Sequence, residues 1–164
     1  MDNLAYAQHP NIIQFYGVTE VPQSWVGMVT EYMQGGSLYD LVTDDEVIDL
    51  PYLLRHQFCK EIAEGLKFLH ATQQGKRLVH GDIKLENVLL TRNLVCKIGD
   101  LGSSRLTTIT GLSSISDVSG FTPRYAAPEL LKGRGMSLAT KSSKASDMFS
   151  YGMMNDQVHS IKRS

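Results

Sequence analysis

From Pro51 onward, Leu54, Phe58, Ile62, Leu66 and Leu69 recur every three or four residues, which places all five on one face of a long helix. That helix is expected to end near Gly75, a C-terminal cap. At 164 residues the chain is the size of one ordinary domain, in which a single core buries roughly 70% of the unfolded surface. Its hydrophobic content of 42%, charged content of 20% and mean hydropathy of −0.15 are those of a globular protein. No apolar run approaches the roughly 20 residues of a membrane span. The first ten residues, MDNLAYAQHP, carry neither a basic n-region nor an apolar h-region, so an intracellular, cytoplasmic address is expected. Cys59 and Cys96 form no CxxC or zinc spacing and read as small buried hydrophobes.

The formal net charge of −1 hides an asymmetry, because residues 1–50 hold eight acids and no Lys or Arg. The bases of the remainder are scattered rather than gathered in a block, so a nucleic-acid partner is not expected.

Two runs rich in β-branched and aromatic residues, Asn11–Val18 and Trp25–Met33, read as strands joined by a hairpin through Thr19–Ser24. The glycines of Gln34–Ser37 break the second strand, and Ser37 is a plausible N-cap for a short helix over SLYDLV. After the long helix, RLVH, NVLL and CKIGD read as small strands and loops. Between Gly102 and Gly120, nine of nineteen residues are Ser or Thr, which predicts a polar loop without a core of its own. The basic, acid-free stretch Lys132–Ser146 reads as an insertion.

The chemistry concentrates in HGDIKLENVLL, His80–Leu90, and KIGDLGSSR, Lys97–Arg105. Asp82, Lys84, Asn87 and Asp100 combine hard oxygen donors for magnesium with a point charge for phosphate, on loops between short strands. Taken singly, Asp82-Ile-Lys84 is a turn and Asp100-Leu-Gly102 an Asx turn. Together and in this order they tell against that reading.

These residues resemble the eukaryotic protein kinase family, whose signatures H-R-D-L-x-x-x-N, D-F-G and A-P-E stand here as His80-Gly-Asp82 with Asn87, Asp100-Leu-Gly102 and Ala127-Pro-Glu129. HPNIIQFYGV is similar to the family's fourth strand and the helix end before it, and MVTEYMQGGSL to its fifth strand and hinge. AEGLKFLH and Ser146–Met154 are similar to two helices of its larger lobe. The resemblance implies an α+β kinase-like fold with a two-strand remnant of the smaller lobe and an incomplete, mainly helical larger lobe. It covers residues 1–154 as a partial kinase domain, leaving 155–164 as a polar tail outside it.

The resemblance also implies roles. Asp82 orients or accepts the proton of the substrate hydroxyl, Lys84 sits at the γ-phosphate of ATP, and Thr122 bridges the two. Asn87 and Asp100 hold Mg2+. Thr30 is the gatekeeper, backbone groups of Glu31 and Met33 bond adenine, Leu89 forms the floor beneath it, and Asp40 lies near the ribose. For Thr30 and Leu89 taken singly, plain core packing is the competing reading. A lysine two positions after the acid is the Ser/Thr pattern, whereas TEYM in the hinge is tyrosine-kinase-like. That mixture resembles the tyrosine-kinase-like group, whose members mostly act on Ser and Thr of protein substrates.

Some family features are not found. The Gly-rich loop and the V-A-I-K lysine are absent, Gly81 stands in place of the His-Arg-Asp arginine, and Leu101 replaces phenylalanine. The expectation is therefore a kinase domain truncated at both ends, with little activity as an isolated chain. The alternatives are an inactive kinase-derived module that docks on other kinase or signalling proteins, and an incomplete gene model.

Overall fold

The computed structural model describes residues 8–21, 25–47, 49–71, 76–101, 105–108, 122–132 and 142–160. The apolar stripe becomes helix α2, Tyr52–His70, with Phe58, Ile62, Leu66 and Leu69 buried and Leu54 packed at the margin. It is one turn shorter than its expected extent. Ala71 leaves helical geometry and donates its N–H to the carbonyls of Lys67 (2.9 Å) and Phe68 (3.2 Å). The last turn thus closes on its own backbone, and the expected cap at Gly75 lies outside the described residues.

Strands β1, Phe15–Val21, and β2, Trp25–Thr30, pair antiparallel with an irregularity between Phe15 and Gly17. The first strand begins four residues later than expected, because Asn11–Ile13 docks elsewhere, with Ile12 in an isolated parallel bridge to Ile98. Strands β4, Val88–Leu90, and β5, Cys96–Ile98, form an antiparallel hairpin. Ile13 donates to the Ile98 carbonyl at 2.9 Å, and Ile98 donates to the Asn11 carbonyl at 2.9 Å. Burial of Ile12 and Ile13 drives this docking. On the opposite edge, Gly35 donates to Leu90 and Leu90 to Gly36, each at 2.9 Å. Two segments distant in sequence therefore bracket one small hairpin.

Helix α1, Leu38–Thr43, starts at the expected Ser37 cap, with a reciprocal bond from Asp40. Strand β3, Lys76–Val79, pairs antiparallel with β6, Arg105–Thr108. The expected polar loop thus contains four residues with a ladder partner, and its other residues, 102–104 and 109–120, lie outside the described set. Helix α3 is Pro128–Lys132. Helix α4, Lys144–Ser160, begins within the stretch read as an insertion and runs past Met154, where the polar tail was expected. Met154 and Val158, one turn apart, are fully buried against the α2 stripe. Buried Arg55 on α2 donates Nη1 to the His159 carbonyl at 3.1 Å, satisfying the end of α4.

The result is the expected α+β arrangement: among the described residues, three two-stranded antiparallel sheets accompany two long helices, with one core shared by Phe58, Ile62, Leu66, Leu90, Ile98 and Met154.

Candidate active site

The loop between β3 and β4 carries the first group of predicted residues. Asp82 is buried, and its Oδ2 meets the Lys84 ammonium at 2.6 Å. Oδ2 also accepts from Asn87 Nδ2 at 3.1 Å, and the same amide donates to the Asp82 carbonyl at 2.8 Å. Its other oxygen, Oδ1, accepts two longer bonds from Thr122, at 3.3 Å from the backbone N–H and 3.4 Å from the hydroxyl. Lys84 Nζ donates to Thr122 Oγ1 at 3.1 Å, which closes the circuit. Asp82, Lys84, Asn87 and Thr122 are therefore one contact group, although Thr122 comes from a segment 40 residues later. Lys84 offsets the cost of burying the Asp82 charge, and the remaining donors satisfy its lone pairs.

His80 is fully buried and orders this loop from behind. Its Nδ1 accepts from the Asp82 N–H at 3.3 Å, so the ring proton lies on Nε2, which donates to the Gly99 carbonyl at 2.8 Å. Gly99 in turn donates its N–H to the Asn87 carbonyl at 2.8 Å. Asp100, the next residue, is thereby fixed beside the Asn87 loop, with a left-handed φ of 49° that turns the chain sharply. This is how the structure joins the two motifs that lie thirteen residues apart.

The residue that sequence reasoning missed is Asp147 on α4. Almost fully buried, it accepts from the backbone N–H groups of His80 (2.9 Å, Oδ2) and Gly81 (2.8 Å, Oδ1) and meets His70 Nε2 at 2.7 Å. The available signal was an acid inside the helix-like segment Ser146–Met154, a position at which burial demands partners.

The second group lines a cavity of about 220 Å³. Thr30 and Met28 from β2, Ile13, Leu89 on β4, and Asp100 with Leu101 form its walls. The expected gatekeeper, floor and metal-holding acid thus share one largely apolar space. Glu31 and Met33 do not line it with side chains. Among the described residues, the Glu31 carbonyl and the Met33 N–H have no hydrogen-bond partner. Asp40 is exposed and committed to the α1 cap, where its Oδ2 accepts from the Ser37 N–H at 2.9 Å and the Ser37 hydroxyl at 2.7 Å. These bonds hold its carboxyl below the usual carboxylate range.

The donor set fits magnesium. Asn87 spends its Nδ2 on Asp82, which leaves Oδ1 as the atom for a cation, and Asp100 presents an exposed carboxylate. Among the described residues no three His, Cys, Asp or Glu side chains gather into a metal cage. Magnesium needs none, since it is usually held by one or two protein oxygens together with substrate phosphates and water.

A family model described as the protein kinase domain matches residues 1–160. The chain is similar to a probable serine/threonine-protein kinase of Dictyostelium discoideum, 34% identical over 154 residues, covering 94% of this chain and 34% of that protein. It is similar to the mitogen-activated protein kinase kinase kinase zak-1 of Caenorhabditis elegans, 33% identical over 159 residues, covering 92% of this chain and 20% of that protein. It is also similar to the serine/threonine-protein kinase CTR1 of Arabidopsis thaliana, 34% identical over 148 residues, covering 90% and 17% respectively. The chain thus spans about a third of the first relative and a fifth or less of the other two.

Proposed function

This chain belongs to the protein kinase family, and on that footing we propose that it forms the acceptor-facing and nucleotide-facing part of a serine/threonine kinase of the tyrosine-kinase-like group. The reaction is transfer of the γ-phosphoryl group of ATP to a hydroxyl of a protein substrate. The observation that carries the reading is the Asp82 carboxylate held between Lys84 and Thr122. Bound magnesium, on Asn87 and Asp100, would neutralise charge on the phosphates.

The chain's own residues supply the rest. The bonds from Thr122 to Asp82 Oδ1, at 3.3 and 3.4 Å, are long enough to yield to a better donor. A substrate alcohol entering there gives its proton's hydrogen bond to Oδ1 and is oriented for attack. Lys84, already 2.6 Å from Oδ2, carries positive charge to the acceptor side of the transferring group. Thr30, Leu89 and the open backbone groups of Glu31 and Met33 support an adenine in the cavity. No helix among the described residues is long and apolar enough to cross a membrane, and the reading assigns the protein to the cytoplasm, where ATP and magnesium are abundant.

The test is melting of the 164-residue chain with and without magnesium-ATP. Nucleotide at 100 times its Kd adds about 2.7 kcal/mol to native-state stability, so the melting temperature rises. The rise is expected to persist in Asp82→Asn, which faces the acceptor, and to vanish in Asp100→Asn, which faces the metal. An unchanged melting temperature at millimolar nucleotide overturns the reading. Turnover by these 164 residues alone is expected to be near background, equal for wild type and Asp82→Asn in a radiolabel assay. They contain no G-x-G-x-x-G segment, and no Lys or Arg precedes Arg55.

A second reading, a kinase-derived docking module, is favoured by the exposed apolar side chains Tyr16, Val18, Met28 and Val29 on the β1–β2 hairpin. It gains if nucleotide leaves the melting temperature unmoved.

A further inference from the structure

Glu31 follows β2 directly, at the point where strand pairing stops and the nucleotide-facing backbone begins. Its attachments are more than a free connecting segment requires. The Glu31 N–H donates to the Gln14 carbonyl at 2.9 Å, and the Gln14 N–H returns a bond to Glu31 Oε1 at 2.7 Å. Lys97 Nζ then grips both carboxylate oxygens, at 2.7 Å and 2.9 Å. With side-chain exposures of 17% for Lys97 and 21% for Glu31, the pair is shielded well beyond an ordinary surface ion pair.

The place of Lys97 gives the pair its meaning. On β5, Lys97 lies between the fully buried Cys96 and Ile98, and strand alternation sends its side chain to the opposite face. Three positions later the same chain reaches Asp100. One three-residue strand therefore holds the hinge at Glu31 through its lysine and leads, two residues past its end, to Asp100 on the cavity wall.

We propose that Glu31 and Lys97 form a clamp that positions the backbone of Glu31–Met33 for nucleotide, making Lys97 a positioning residue for nucleotide affinity. The clamp rests on the kinase reading above. It touches neither acceptor nor metal, and its effect passes through the Glu31 carbonyl and the Met33 N–H.

The test compares wild type with Lys97→Met, Glu31→Gln and the double variant by calorimetric titration with magnesium-ATP and, separately, with adenosine. Glu31→Gln keeps an oxygen for the Gln14 N–H and removes only the charge. Each single variant is expected to bind magnesium-ATP about three- to tenfold more weakly, the range of a lost, partly shielded charged hydrogen bond. The double variant is expected to bind no more weakly than either single, because the two residues act as one unit. Adenosine is expected to weaken by the same factor, since the defect lies at the adenine end, and Lys97→Arg is expected to restore binding. Melting temperatures without nucleotide identify any variant that has simply unfolded, and the Lys97→Arg comparison then decides. Wild-type binding with unchanged affinity in folded variants overturns the clamp and leaves the kinase reading standing. Absence of nucleotide binding by wild type overturns the kinase reading, and the clamp with it.

Discussion

Asp147 on α4 takes the backbone N–H of Gly81 at 2.8 Å, across 66 positions of sequence. With its second oxygen on the His80 N–H and on His70, this one carboxylate holds the loop that presents Asp82. In Asp147→Asn, one of these donors would face an amide NH2 rather than an oxygen. Hydrogen bonds to a buried charge contribute about 1.5–3 kcal/mol each, and one such loss with reorganisation of the rest should cost about 3 kcal/mol. Urea unfolding measures it. A change under about 1 kcal/mol would mean that the loop is held by its other contacts.

Gly81 itself sits at a φ of 84°, in the left-handed region. A side chain there meets its own carbonyl, so Gly81→Ala should destabilise by about 1–2 kcal/mol. Gly81→Arg, which restores the residue of the family motif, should cost at least as much unless its guanidinium finds an acid. Paired thermal melts of the two variants report the difference, and an Arg variant more stable than the Ala variant would show that such a partner exists.

The legible and illegible parts of this chain divide by range. Asp82, Asn87 and Asp100 were readable because their chemistry and spacing sit within nineteen residues, from 82 to 100. The α2 stripe was readable because a 3.6-residue period needs no knowledge of partners. Lys97 and the side chain of Glu31 meet 66 positions apart, and no local pattern announces such a bond, while Asp147 offered only its place in a helix-like segment. The end of α2 was misplaced because a glycine is a common stop, whereas Ala71 closes the helix with backbone bonds that any residue can make. The continuation of α4 was hidden for a similar reason. In its second half only Met154 and Val158 are buried, next to an exposed Met153 and otherwise polar or small neighbours, and two buried residues do not establish a period.

The α1 cap should be sensitive to acid. Asp40 accepts from the Ser37 hydroxyl and the Ser37 N–H, and these bonds, in that order, hold its carboxyl below the ordinary value of 3.8. A carboxyl depressed in the folded state stabilises fully above its unfolded value, and the benefit disappears as pH falls through the folded value. The group is exposed, so the contribution is small and screened by salt. Wild type should exceed Asp40→Ala in urea midpoint at pH 6, with the gap narrowing as pH falls below 3.8. A gap that stays constant through that fall would remove the charge from the account of the cap.

The attachment of the hinge to β4 depends on a glycine for lack of space rather than for a special backbone angle. A Cβ at Gly35 would lie 2.7 Å from Leu90 Cβ, 2.7 Å from the Thr91 carbonyl oxygen and 2.8 Å from the Leu90 carbonyl oxygen. Two of those atoms are backbone of a buried hairpin, so the hinge must move and not its neighbour. Movement lengthens the bond from the Gly35 N–H to Leu90, now 2.9 Å, and the return bond from Leu90 to Gly36, also 2.9 Å. Gly35→Ala should therefore destabilise by about 2–3 kcal/mol, the sum of overpacking and weakened edge bonds. Amide exchange at Gly35 and Leu90 should quicken in the variant, while exchange in the middle of α2 follows only the global loss of stability. Equal protection of Gly35 and Leu90 in the two proteins would place the hinge's anchorage elsewhere, at Glu31.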